Sequence, residues 1–90
     1  MHSLRVEKRV LADLRLLPPK IYRQITNKMF QLQFNPRPTD SKKIGSGLRV
    51  DCGEYRLYYE VYDGERLISV ELFGKRNDDD IYRRLAELRR

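Results

Sequence analysis

The stretch GLRVDCGEYRLYYEVYDGERLISVELFGKR, residues 47–76, limits what this chain can fold into more than any other part of it. Polar and apolar residues alternate along it with the period of strands that bury one face and show the other to water. Leu48, Val50 and Cys52 lie on one side, Arg49 and Asp51 on the other. Gly53 and Glu54 permit a tight reversal. Tyr55, Leu57, Tyr59 and Val61 then continue the inner side, and Arg56, Tyr58, Glu60 and Tyr62 the outer. Asp63-Gly64 is a two-residue hairpin signal. It predicts a register in which Val61 faces Arg66, Leu57 faces Val70 and Arg56 faces Glu71, with Ile68, Val70 and Leu72 all pointing inward.

The residues before this segment change period. A short strand at Leu4 to Val6 gives way to helical spacing in Val10, Leu11, Leu14 and Leu17, which Pro18 and Pro19 end. Pro19 also suits the first turn of a second helix, where a missing N–H costs nothing. Ile21, Ile25, Met29 and Leu32 form its buried stripe, and NPRPTD stops it at Asn35. TDSKKIGSG is a loop by composition. After Gly74, Asp78, Asp79 and Asp80 supply acidic caps for a last helix. Ile81, Leu85 and Leu88 give that helix an apolar side, and Arg89 and Arg90 suit its C-terminus. The expected class is α+β: a small, mostly antiparallel sheet with an N-terminal helical hairpin packed on one face and a C-terminal helix, its other face left open.

Ninety residues suffice for one domain, 1–90, with a modest core. Nineteen Lys and Arg against thirteen acidic residues leave a net charge of +6, which favours a polyanionic partner. Nucleic acid, an acidic protein and an anionic membrane surface all qualify. The membrane is disfavoured, since no run approaches the ~18 apolar residues of a spanning helix. The first residues also lack the apolar segment of a signal peptide, so a cytoplasmic location is expected. Cys52 is the lone cysteine and His2 the lone histidine, expected at a frayed end. A protein zinc site and a Cys–His nucleophile pair are therefore disfavoured, and no metal or cofactor is expected.

Arg49 and Arg56 fall on adjacent strands, with Lys42, Lys43, Lys75 and Arg76 nearby in the chain and tyrosines among them. Guanidinium groups that hold phosphates, together with aromatic faces that stack on bases, are the usual means of binding single-stranded RNA. Ordinary readings stand beside this one. Tyr55 and Tyr59 read as core, the lysines as a solvated loop, and Arg56 as half of a cross-strand ion pair with Glu71. Arginine is protonated at any workable pH and makes a poor proton acceptor, but it clamps the charge that develops on phosphoryl oxygens. The patterning alone supports a basic RNA-binding domain capable of electrostatic catalysis.

The run SKKIGSGLRVDCGEYRLYYEV, the later GKRNDDDIY and the helical hairpin ending QFNPRP together resemble the RelE/ParE superfamily of toxins from bacterial and archaeal toxin–antitoxin systems. The resemblance runs from Val6 to about Leu85. Its most specific parts are GEYRLYYEV, GKR and the tyrosine six residues after Arg76. It implies a RelE-like fold and, for the RelE branch, a ribosome-dependent endoribonuclease that cuts messenger RNA in the decoding site. Cleavage there proceeds by attack of the ribose 2′-hydroxyl on the neighbouring phosphate, without a metal. The resemblance assigns Arg56 to the charge on the scissile phosphate, Arg76 to the leaving group and Tyr82 to stacking with the message. Arg49 stands where the family has a strand lysine that activates the 2′-hydroxyl or holds the phosphate. Lys42 and Lys43 match a basic loop that touches ribosomal RNA or the message backbone, and Lys75, next to Arg76 in the chain, is expected to bind RNA or the ribosome as well. Two departures leave the proton acceptor unassigned: Arg49 replaces a lysine, and Gly47 stands near the place of a second one. The implied partners are the ribosome, mRNA and a cognate antitoxin in a hetero-oligomeric complex. A ParE-like gyrase inhibitor and a non-catalytic RNA- or ribosome-binding domain are the competing readings, and Arg56, Arg76 and Tyr82 together favour the nuclease branch.

Overall fold

The computed structural model describes residues 1–77 and 80–88. Along the chain the elements are β1 (Ser3–Val6), α1 (Lys8–Leu14), α2 (Pro19–Phe34), β2 (Lys42–Ile44), β3 (Gly47–Cys52), β4 (Tyr55–Tyr62), a 3-10 turn (Asp63–Glu65), β5 (Leu67–Lys75) and α3 (Asp80–Leu88). The expected meander is present as β3, β4 and β5. The sheet extends it at both edges in the order β1-β5-β4-β3-β2, with β1 parallel to β5 and the other neighbours antiparallel.

α1 and α2 cover the inner face. Pro18 and Pro19 separate them, and Pro19 occupies the first turn of α2, where no partner awaits an N–H. Val10 and Leu14 from α1 and Ile25, Met29 and Leu32 from α2 are buried against Val50, Leu57, Tyr59, Ile68 and Val70 of the sheet. Burying each such aliphatic side chain contributes about 1.5–3 kcal/mol, and this face holds most of the core. Tyr59 hides its ring completely and donates its hydroxyl to the Pro36 carbonyl at 2.7 Å. Burial chiefly pushes that phenol up to about 12, so it remains a donor. Leu11, expected on the buried stripe, is partly exposed. Among the described residues, no helix is long and apolar enough to cross a membrane.

The β4–β5 register differs from the expected one. Four residues, 63–66, join the strands instead of two, so Tyr62 pairs with Leu67 and Val61 with Ile68. The Asp63 carboxylate accepts from Arg37 at 2.9 Å and contacts the His2 ring at 3.2 Å. The chain turns right-handed there, and Arg66 closes the loop in the left-handed region at φ 51°. Such four-residue loops built on a right-handed turn are a common alternative to the two-residue hairpin. A bulge follows: Tyr59 pairs with Val70 and Tyr58 with Leu72, which leaves Glu71 over. Beyond it the alternation is reversed, so Leu72 points outward, Phe73 faces Leu57, and Arg56 faces Gly74 rather than Glu71. Glu71 is engaged elsewhere, its carbonyl accepting from Arg9 Nε at 2.8 Å and its carboxylate lying 3.3 Å from the same guanidinium.

Three further expectations are corrected. Lys42–Ile44 is a strand and not a loop. Lysines on a short strand read as loop by composition, yet charge is what protects a sheet edge from pairing with other chains. The outer face is not open throughout, because Ile81 and Leu85 of α3 pack on Tyr58 and Leu72. His2 is not frayed: its N–H donates to the Gln33 carbonyl at 2.9 Å, and the Gln33 amide returns a bond to the His2 carbonyl. Leu88 is exposed on α3. The expected caps Asp78 and Asp79 and the terminal Arg89 and Arg90 lie outside the described residues.

Candidate active site

Two cross-strand rows organise the outer face. Side chains directly opposite each other on neighbouring strands share a face. The first row runs Lys42, Arg49, Tyr58, Leu72 across β2, β3, β4 and β5. The second runs Asp51, Arg56, Gly74. α3 covers the Tyr58–Leu72 end of the first row and leaves the cationic residues along its margin.

Asp51 is the centre of the second row. Its carboxylate accepts from Arg56 Nε at 2.7 Å and Nη2 at 3.5 Å, and it lies 3.6 Å from Arg49 and 3.9 Å from Arg76. The Arg49 and Arg56 side chains are largely enclosed, at 15% and 12% exposure, whereas Arg76 is half exposed. Burial alone would raise the Asp51 carboxyl. The hydrogen bond from Arg56 and the charges of Arg56, Arg49 and Arg76 outweigh it and hold the group below its ordinary value. The carboxylate is therefore ionised throughout the neutral range.

The backbone explains the convergence. The Gly53-Glu54 turn sets Asp51 opposite Arg56. Arg76, just past β5, donates its N–H to the Glu54 carbonyl at 2.8 Å, which ties the end of β5 to the same turn. Gly74 closes the second row without a side chain, because a Cβ there would come within 2.6 Å of Asp80 Cβ. The start of α3 thus lies directly on the row. Asp80 accepts from the Lys75 N–H at 3.3 Å and pairs with Arg83. Arg84 donates to the Phe73 carbonyl and to Asp13, each at 2.9 Å. Tyr82, next to the buried Ile81, turns outward, and its ring centroid lies 5.9 Å from the Arg56 guanidinium carbon. That spacing is within reach of a cation–π contact.

Arg49, Arg56, Arg76 and Tyr82 are thus gathered in one place, and Lys42 extends their row to the sheet edge. Lys43 pairs with Leu48 and belongs to the other face, where it lines a cavity of about 270 Å³ with Arg37 and Ser46. Lys75 pairs with Tyr55, also away from the arginine face. Tyr58, on the outer side by sequence alternation, is buried under α3, and Tyr62 bonds Glu60 at the far end of β4. Asp51 was missed as a site residue. Its signal was present in the two-residue turn, which makes positions 51 and 56 cross-strand partners.

Forked cations of this kind match the oxygens of a phosphate as well as those of a carboxylate. The cluster can bind an anion and stabilise charge developing on it, while an exposed ring stands by to stack. His2 is held at Asp63, roughly 20 Å along β4 from Arg56 by strand rise. Among the described residues, no three His, Cys, Asp or Glu are grouped to hold a metal ion.

Neither protein-family models nor curated proteins match the chain. Solved structures do. The isolated E. coli RelE toxin matches with a TM-score of 0.74 at 23% identity over 97% of each chain. An E. coli RelE mutant in the free state matches with a TM-score of 0.76 at 25% identity over 90% of each chain. The archaeal RelE–RelB complex of Pyrococcus horikoshii OT3 matches with a TM-score of 0.75 at 22% identity, covering 83% of this chain and 94% of that one.

Proposed function

Taking the RelE fold as the premise, we propose that this protein is the toxin of a toxin–antitoxin pair, a metal-independent endoribonuclease that cleaves messenger RNA in the ribosomal decoding site. The observation that carries this reading is the convergence of Arg49, Arg56 and Arg76 within 4 Å of one carboxylate, with Tyr82 beside Arg56.

In the proposed reaction a ribose 2′-hydroxyl gives its proton to water as its oxygen bonds to the adjacent phosphorus, the bond to the 5′-oxygen of the next nucleotide breaks, and that oxygen takes up a proton from water. A 2′,3′-cyclic phosphate and a 5′-hydroxyl end result. Arg56 carries the charge that builds on the phosphoryl oxygens, Arg76 faces the leaving oxygen, Arg49 holds the phosphate, and Tyr82 stacks with the message. These guanidiniums are set before substrate arrives, which is what makes charge stabilisation effective. The cluster supplies charge and not a proton acceptor, since arginine stays protonated. Lys42 lies on the same row and extends the track for RNA backbone. Lys43 and Lys75 would contact ribosomal RNA from the other face. RelE structures solved with RelB antitoxins support a protein partner of that kind. A net charge of +6 suits an acidic segment that folds as it binds.

Primer extension on a defined messenger, with and without ribosomes, tests the reading. Cuts are expected only with ribosomes and at a fixed place within codons. Arg56→Ala is expected to lower the cleavage rate by roughly 100- to 1,000-fold, the range for one preorganised charge-stabilising donor. An uncut messenger in every reaction, with the protein shown to be folded, would turn the reading to gyrase inhibition or to RNA binding without cleavage.

A further inference from the structure

The Asp51 carboxylate has no part in the chemistry proposed above, yet it touches every cation that does. Its contacts are graded. Arg56 is gripped through two nitrogens, and Arg49 and Arg76 are held at longer range. An ordinary surface ion pair contributes little because both partners are solvated and mobile. Here the Arg49 and Arg56 side chains are largely enclosed, while Asp51 itself is one-third exposed. Enclosed like charges repel unless an opposite charge stands among them. The cross-strand position of Asp51 is also rigid, because a two-residue turn fixes positions 51 and 56 as partners.

Resting on the nuclease reading, we propose that Asp51 is a positioning residue: an internal counter-ion that gathers Arg49, Arg56 and Arg76 into one cradle and aims the Arg56 guanidinium at the scissile phosphate. Asp51 is itself an anion in an anion site. It therefore weakens the general attraction of the cradle for RNA while it improves the geometry of the cut. Removing its charge should move binding and turnover in opposite directions. A role confined to holding the fold together would lower both.

The test is Asp51→Asn, which keeps the shape and removes the charge, with Asp51→Glu as the variant that keeps the charge. Two readouts are taken on protein shown to be folded: affinity for a single-stranded RNA oligonucleotide across a salt series, and single-turnover cleavage on programmed ribosomes. For Asp51→Asn the slope of log affinity against log salt is expected to steepen by about 0.7, the single-strand value for one further neutralised phosphate. Its cleavage rate should fall by up to about 100-fold, the scale set by a ~1 Å misplacement of a reacting group. Asp51→Glu should keep the parent salt slope and recover part of the rate. Cleavage by Asp51→Asn at the parent rate, or a fall in binding and cleavage together, overturns the proposal. Should the parent itself not cleave, the nuclease reading fails on that result alone. The salt series then still decides whether Asp51 is the counter-ion of the cradle, an unchanged slope meaning that it is not.

Discussion

Gly47 shows how one residue without a side chain shapes the site. A Cβ at this position would lie 2.5 Å from the Tyr59 carbonyl oxygen and 2.7 Å from the Tyr58 hydroxyl. The first of these atoms is backbone and cannot step aside. Gly47→Ala is therefore expected to destabilise the fold by about 1–3 kcal/mol, the usual cost of overpacking. In a chain of this size that lowers the melting temperature by roughly 4–8 °C per kcal/mol, measurable by thermal unfolding. The same contact accounts for the lack of a second basic residue on β3. Position 47 cannot carry a lysine while Tyr58 lies beneath α3. The sequence made the absence visible but not its cause, because Tyr58 reads as an outward residue until α3 is placed over it. Arg49, Arg56, Arg76 and Tyr82 were legible as a set through their resemblance to a family. For Asp51 the two-residue turn gives the pairing with Arg56, but its approach to Arg49 and Arg76 is visible only in the structure.

At the scale of elements, α3 decides whether Arg56 and Tyr82 meet. The helix is held by Ile81 and Leu85 in a small cluster with Tyr58 and Leu72, separate from the main core. Leu85→Ala is expected to cost ~2 kcal/mol, at the low end for such truncations because the residue lies at the rim. The loss should be local. Hydrogen exchange is expected to quicken in 80–88 while β4 and β5 stay protected, the behaviour of a unit that opens on its own. Cleavage should fall with it, and uniform loss of protection across the sheet would instead make α3 part of one cooperative core. The helical hairpin and the meander were readable from period and prolines. The four-residue loop at 63–66 and the bulge at Glu71 were not, since both depend on partners far away in the chain, Arg37 and His2 for the loop and Arg9 for the bulge. The bulge turns Leu72 outward, and the two irregularities together separate Arg56 from Glu71.

For the whole molecule, the charge balance of +6 has a measurable effect. With about four phosphate contacts at −0.7 each, affinity for single-stranded RNA should fall ~50-fold between roughly 50 and 200 mM salt. A flat response in a filter-binding series would remove the basic face from any role in binding. The α+β class and the charge sign were legible because they are sums over many residues. The mixed sheet order was not, because β1 pairs in parallel with a strand on the opposite side of the meander in sequence, Leu4 against Ile68. That pairing also closes a far longer loop than the β3–β4 hairpin does, which makes it the costlier contact to form. β3 and β4 meet across a two-residue turn, whereas β1 needs β5 from much further along the chain. A chain without β5 leaves the apolar faces of α1 and α2 only part of their sheet to lie on, the kind of exposed surface that favours aggregation. Arg49 and Arg56 are thus held together by local chain, while Tyr82 reaches them only through the packing of α3 on the finished sheet.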